Sequence, residues 1–387
     1  MTSIIARYVG TLLLGRFVVL LLGLATLMLL LEFLADSDQV IASTDHAVRA
    51  LALYMVLRLP AILAQLIPVA ALLAGLVGFT ELARHSELTA IYAGGMSKIR
   101  LAGAVLPIAC LIGGFQFLIE DQAHPVASRQ LRAWGVGDYN PEGDAANEIW
   151  LRLGDEILRI GAIDAERAEL RDLTIFRRDT DGNLSAKIQA ARAVAEGDRW
   201  MLFDVARSQV ATASVDTAAR MPWAGDLDAA DLDTLIANPS EMPLIDLLRV
   251  IEHPELGSQP IYRYATWVHE RLAAPVTTAM LLLLTVALAR PPHGRGQQGM
   301  LVAIGIGIGF LLWTFDSLVL NFGDLGLLPP ALAAWTPVPV IGAIALTIAL
   351  HDHASRRAAS PVRGRGKGPR LVRPNEADRD PRRSPRL

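Results

Sequence analysis

One cysteine, Cys110, is present among 387 residues, so no disulfide can form within the chain. It falls inside an apolar run, where a small buried hydrophobe is the expected role. Charge is scarce too. Asp, Glu, Lys and Arg make up 19% of the residues, less than a soluble domain of this size carries. Nucleotide and catalytic motifs are missing. There is no G-x-x-x-x-G-K-[ST] loop to cradle phosphates, no H-E-x-x-H, no paired C-x-x-C and no G-x-S-x-G. The common routes to a zinc site or a serine nucleophile are therefore absent. Gly294-Arg-Gly-Gln-Gln-Gly299 spells G-x-G-x-x-G, but a dinucleotide site needs a strand before it and a βαβ unit around it. It reads as a loop between two membrane helices. Asp226, Asp228, Asp231 and Asp233, and the run His351-Asp352-His353, have metal-ligand residue types. No further ligand converges on either group, and they read as an acidic surface loop and a solvated helix end.

Long apolar runs are abundant. Six of them, Leu12–Leu34, Tyr54–Gly78, Leu101–Ile119, Leu272–Ala289, Met300–Leu320 and Ala331–Leu350, each reach the length of a bilayer-spanning helix. They fall three and three around a polar stretch. The first run is too long for a signal-peptide core and no A-x-A site follows it, so it reads as a retained helix. The fold class expected is an α-helical membrane protein with six transmembrane helices and an inserted all-β domain. Residues 1–119 hold the first three helices, 120–265 the inserted domain, 266–350 the last three, and 351–387 a basic, disordered tail.

Charge orients the chain. Between Glu120 and Tyr264 there are 26 acidic and 15 basic residues, whereas the segment after Leu350 has 11 basic and 4 acidic. Basic short loops mark the cytoplasmic side. The tail and the loops with Arg84, Lys98, Arg100, Arg290 and Arg295 are therefore placed inside. Six spans with both termini inside leave the acidic domain outside. Within it, Ile149–Ile160 reads as a hairpin around Gly154-Asp155, and Leu170–Arg177, Lys187–Val194 and Trp200–Val210 read as further strands. An all-β sandwich or open roll follows. Met221–Leu256 reads as loop, closing on a short helix over Pro243–Val250.

Between the second and third runs, residues 80–97 read as an amphipathic helix at the cytoplasmic surface, stopped by Gly94-Gly95. Such a helix is either a solvated face or a dock for a cytoplasmic partner. Polar residues inside the spans are costly in hydrocarbon. Arg16 and Glu32 can snorkel from the helix ends, and Gln65 and Gln116 can bond across helices. Asp316 sits well inside the fifth run and must find a donor, face water or be protonated. Gly305, Gly307 and Gly309 permit close helix packing.

Several stretches together resemble one family, the lipopolysaccharide export permeases LptF/LptG. They are Pro68–Gly75, Leu82-Ala-Arg-His-Ser-Glu-Leu88 with Ala93-Gly-Gly-Met-Ser97, Arg263-Tyr-Ala-Thr-Trp267 with Pro275, Gly305/Gly309/Asp316, and Gly326-Leu-Leu-Pro-Pro330 with Ala334-Trp-Thr-Pro337. Ile149-Trp-Leu-Arg152 resembles the first strand of the family's outer domain. The Ser-Glu-Leu and Leu-Pro-Pro stretches favour the LptG branch. The resemblance implies an inner-membrane transport subunit, not an enzyme, whose periplasmic domain is a β-jellyroll. It implies a paralogous LptF-type subunit, a cytoplasmic LptB-type ATPase dimer that carries the ATP and magnesium, and an LptC-type periplasmic bridge protein. No cofactor is expected in this chain and no nucleic acid among its partners. The cargo implied is lipopolysaccharide or a similar large glycolipid. Arg84, Glu87, Gly95 and Ser97 fall in the segment that meets the ATPase. Glu32, Gly305, Gly309 and Asp316 are the lipid-cavity candidates. One departure stands out: where family members often carry lysines at the outer end of the first helix, this chain has Glu32, Asp36 and Asp38. Acids repel phosphate, so a less anionic head group, bases from the partner subunit, or bridging divalent cations are the alternatives. On the residues alone, a membrane-anchored envelope enzyme and a non-transporting scaffold also remain open.

Overall fold

The computed structural model describes residues 2–42, 46–136, 149–164, 168–179, 183–197, 199–210, 214–223, 227, 232–289 and 297–358. Among the described residues, six helical segments are long and apolar enough to cross a membrane. A backbone in hydrocarbon must satisfy its own N–H and C=O groups, and an apolar α-helix does so. The first three spans are α1 (Thr2–Ala42), α2 (Ala47–Arg84) and α4 (Lys98–Leu118), with a short α3 (Glu87–Ala93) between the latter two. α1 buries Val9, Leu13, Phe17, Leu21 and Ala25, one residue every four, against α2. The helix α2 runs unbroken through Pro60 and Pro68.

The helices outrun their apolar stretches. About 20 residues cross the hydrocarbon, whereas α1 has 41 and α2 has 38. α4 continues through a single π-helical turn, Ile119–Ala123, into α5 (His124–Trp134). Gly135 closes α5 in the left-handed conformation, φ 70°, donating to the carbonyls of Leu131 and Arg132. The extended ends of α1, α2 and α5 meet in a cluster of Val40, Ala50, Tyr54, Leu57, Ala127, Leu131 and Val136. They build a stalk on the side of the bundle from which the sheet emerges.

Six strands form one antiparallel sheet in sequential order: β1 (Ile149–Leu153), β2 (Glu156–Asp164), β3 (Glu169–Arg178), β4 (Leu184–Glu196), β5 (Arg199–Gln209) and β6 (Ser214–Trp223). The Ile149–Ile160 hairpin turns at Gly154, φ 54°, with Leu153 opposite Glu156. The inner face carries Leu158, Ile160, Leu173, Ile175, Ile188, Trp200, Leu202 and Val205. Leu227, Leu232 and Leu235 cover it, the last two from α6 (Leu232–Ile236). Trp200 is 2% exposed, and its indole N–H donates to the Leu227 carbonyl at 2.8 Å. The sheet returns through α7 (Leu244–Glu252) to α8 (Ile261–Leu288). α8 is the central strut of the bundle and packs against α2, α4, α9 (Gln297–Asp324), α10 (Pro330–Trp335) and α11 (Pro337–Ala358).

Four expectations change. The amphipathic helix expected over 80–97 is divided: residues up to Arg84 complete α2, and only Glu87–Ala93 forms the separate α3. Ser86, at φ 60°, makes the corner between them. The sixth apolar run is broken at Thr336, because Pro337 has no N–H to continue the ladder. Its helix then extends beyond Leu350 to Ala358, into what reads as tail; residues 359–387 lie outside the described residues. Strand β6 falls partly in the segment read as loop. Cys110 is exposed on the outer side of α4, not buried: in a bilayer the hydrophobic exterior suits a thiol as well as the interior does. The turn at Asp181-Gly182, most of the glycine-rich loop around Gly294, and Asp226, Asp228 and Asp231 lie outside the described residues.

Candidate functional site: the corner at α3 and the cavity behind α9

At the end of the bundle away from the sheet, α3 sits beneath α1 and α2. Leu88 is fully buried in the main apolar cluster with Val9, Leu82 and Leu101, so this short helix is anchored by one leucine. Glu87, the first residue of α3, accepts a 2.7 Å hydrogen bond from the Tyr8 hydroxyl of α1. Two turns along α1, Arg16 grips Glu81 of α2 with two bonds of 2.9 and 2.7 Å. Arg84 is exposed at the last turn of α2, where a cation suits the negative end of the helix dipole. Gly95 has φ +85°, a conformation that a side chain strains. Ser97 caps α4, its hydroxyl accepting from the Arg100 N–H at 3.3 Å. Lys98 then reaches across to the Ala287 carbonyl at 2.9 Å, tying this corner to the end of α8.

The second region is a cavity of about 330 Å³ between α2, α4, α8, α9 and α11. Its walls are apolar, with Leu72, Leu281, Phe310, Trp313 and Ile341 among them, but Gln65, Gln116, Glu120, Glu270 and Asp316 also face it. Three carboxylates inside a helical bundle need compensation. Gln116, 2% exposed, donates to Glu120 at 2.8 Å and accepts from the Thr278 hydroxyl at 2.5 Å. Arg271, 3% exposed, brings its guanidinium within 3.7 Å of Glu120. The same guanidinium donates to the carbonyls of Ser240 and Met242 at 2.5 and 3.0 Å. The π turn inserts an extra residue and lets two adjacent acids diverge. Glu120 faces the cavity, while Asp121 accepts the Leu244 N–H at 2.6 Å. Arg132 of α5 pairs with Glu241. The connection between sheet and α8 is thus fastened to the bundle by Asp121, Arg132 and Arg271.

A family model described as "Lipopolysaccharide export system permease LptF/LptG" matches residues 7–351. The chain belongs to the LptF/LptG family. It is 22% identical over 345 residues to "Lipopolysaccharide export system permease protein LptG" of Escherichia coli (strain K12), covering 87% of this chain and 94% of that protein. The protein of the same name from Haemophilus influenzae (strain ATCC 51907 / DSM 11121 / KW20 / Rd) is 22% identical over 326 residues, covering 82% of this chain and 90% of its own length. The chain is a multi-pass inner-membrane protein of this permease family.

Within this LptF/LptG architecture the eight site candidates separate into groups. Arg84, Glu87, Gly95 and Ser97 gather at the α3 corner. Gly309 and Asp316 line the cavity. Gly305 lies one turn from Gly309, and both press against α2: a Cβ at Gly305 would meet Leu76, and one at Gly309 would meet Leu72. Glu32 is far from this group, near the sheet side of α1. It is held by Arg58 of α2 through two bonds of 2.6 and 2.8 Å. Asp36, one turn on, accepts from the Tyr54 hydroxyl at 2.6 Å. Glu32 and Asp36 therefore point into α2 and Arg58 neutralises Glu32, while Asp38 is exposed. Arg58, Glu270 and Arg271 were missed in the sequence. The signal was available for Arg58: a lone cation inside the Tyr54–Gly78 run requires a counter-charge at similar depth on a neighbour, and Glu32 is the acid that fits.

Proposed function

We propose that this chain is one permease subunit of an ATP-driven exporter that lifts lipopolysaccharide, or a glycolipid of similar size, out of the inner membrane. Its partners are a paralogous LptF-type permease, a dimeric LptB-type ATPase docked at the α3 corner, and an LptC-type bridge protein that receives lipid from the sheet domain. The observation that carries this reading is the bareness of two helices. Only 17% of the most apolar stretch is buried in α1 and in α9, with the sixth span next at 22%, against 56% in α2 and 50% in α8. α1 and α9 both pack on α2, and they present Leu22, Leu30, Leu31, Phe310, Leu311 and Leu318 outward. Two bare apolar faces flanking one helix form half the wall of a lateral chamber, which a second subunit completes. The names of the relatives supply the cargo. Neutralisation of Glu32 by Arg58 weakens the electrostatic objection to a phosphorylated lipid. The charge partition along the chain supports termini in the cytoplasm and the sheet in the periplasm.

The test is affinity purification of the tagged chain from its native host in gentle detergent, with mass spectrometry of bound proteins and lipids. Recovery of a six-span paralogue, a Walker-type ATPase and a lipid A-containing species is the expected result. Recovery of the chain alone refutes the reading, because it removes the energy source.

A further inference from the structure

Among the described residues, these four polar contacts bind α1 to the α2–α3 segment: Tyr8–Glu87, Arg16–Glu81, Glu32–Arg58 and Asp36–Tyr54. As position rises along α1, the partner's position falls, as an antiparallel hairpin requires. Tyr8 and Asp36 are 28 residues apart, about 42 Å of helix, so the ladder runs the full thickness of a bilayer. Two of the four rungs are bidentate Arg–carboxylate forks, the geometry that fixes both distance and angle. Between the rungs, Leu13, Phe17 and Leu21 pack on Ala70, Ala71 and Ala74 in one buried cluster. Gly78 admits Leu12 and Leu13 so closely that a Cβ there would come within 2.7 Å of Leu13. Apolar packing alone lets membrane helices slide, since lipid is as apolar as leucine. Charged forks at both ends do not.

We propose that α1, α2 and α3 move as one rigid lever, in which Tyr8, Arg16, Glu32 and Asp36 are positioning residues that lock α1 to its neighbours. Displacement of α3 by a cytoplasmic partner is then delivered undiminished to the bare outer face of α1, about 20–35 Å away. The inference rests on the exporter reading and adds the path of the force. It also assigns a purpose to Glu32 and Asp36: they are struts, not ligands for lipid. Glu87 has a second role, joining α3 directly to the first turns of α1.

The single native cysteine makes the test simple. In a Cys110→Ser background, spin labels at Leu27→Cys and Val56→Cys report the α1–α2 distance. Labels at Leu22→Cys and Leu311→Cys report the α1–α9 distance. Both are measured in the co-purified complex without nucleotide, with ATP trapped, and after hydrolysis. The lever predicts a constant α1–α2 distance and a changing α1–α9 distance. Removing a fork, as in Arg58→Gln, loosens the locked pair about tenfold to a hundredfold. It lowers lipid released per ATP by about tenfold or more while ATP hydrolysis continues. The exchanged pair Glu32→Arg with Arg58→Glu restores release, which a general loss of folding would not permit. An α1–α2 distance that changes with nucleotide in the unmutated ladder overturns the lever. So does wild-type release per ATP in Arg58→Gln. A wild-type complex that releases no lipid with ATP refutes the exporter reading instead, and the lever with it.

Discussion

Gly113 brings α4 against the backbone of α8 at Pro275, and crowding this contact has a calculable consequence. A Cβ on Gly113 would lie 2.5 Å from the Pro275 carbonyl oxygen, 3.2 Å from its carbon and 3.5 Å from its Cα. Comfortable contact begins at about 3.5 Å, so the shortfall to the oxygen is about 1 Å. The obstacle is backbone, and no rotamer change relieves it. Either α4 or α8 must shift, and the Gln116–Thr278 hydrogen bond, one turn further along each helix, shifts with it. Overpacking costs about 1–3 kcal/mol and a weakened hydrogen bond about 0.5–1.5 kcal/mol. Gly113→Ala should therefore destabilise the bundle by about 2–4 kcal/mol, a fall of several degrees in Tm. The control lies on the same helix: a Cβ added at Gly103 would meet nothing within 4 Å, and Gly103→Ala should leave the transition unchanged or slightly raised. Thermal unfolding of both variants in one detergent, at one scan rate, is the assay. Equal transitions would refute the reasoning that α4 and α8 touch backbone to backbone at this point.

Other expectations follow from the same geometry. Gly309→Leu forces a side chain into Leu72 and the cavity; membrane insertion should persist and lipid release should fall at least tenfold, measured in reconstituted vesicles. Trp200→Ala removes a fully buried indole of the sheet and its bond to Leu227; a loss of about 3–5 kcal/mol should open the sheet domain to limited proteolysis while the bundle stays resistant. Cys110 faces outward from the middle of α4; a water-soluble maleimide should fail to label it in membranes and succeed after denaturation, as read by mass shift. If the ATPase docks at the α3 corner as proposed, Glu87→Ala should weaken its capture in a pull-down, since the carboxylate and its bond from Tyr8 are lost together.

How much of this was legible depended on the kind of residue. The six spans were plain because hydrocarbon tolerates so few alternatives. The strands β1 to β5 showed as alternating apolar residues between turns, since one face is buried on Trp200 and its neighbours. β6 did not, because Val215–Arg220 are exposed and only its end, Met221 and Trp223, reaches the core, so most of the strand carries no alternation. The ends of the helices were misjudged for the same reason in reverse. Polar residues such as Asp36 and Arg129 end an apolar run without ending a helix, and the stalk of α1, α2 and α5 is built from such extensions. At the candidate sites, Asp316, Gly309 and Glu87 stood out one at a time. What no single position revealed was pairing. Glu32 looked like a repulsive acid until Arg58 was seen beside it, and Glu120 looked like the first residue of a new domain until the π turn aimed it into the bundle.

Lipid movement by this chain is open to direct assay. The most direct measurement takes the co-purified complex in vesicles loaded with a labelled lipopolysaccharide and follows its transfer to an added acceptor. Transfer should require ATP, stop with a non-hydrolysable analogue, and fall at least tenfold with Gly309→Leu. Transfer that proceeds equally without ATP, or no transfer while the ATPase turns over normally, would contradict lipid export by this chain.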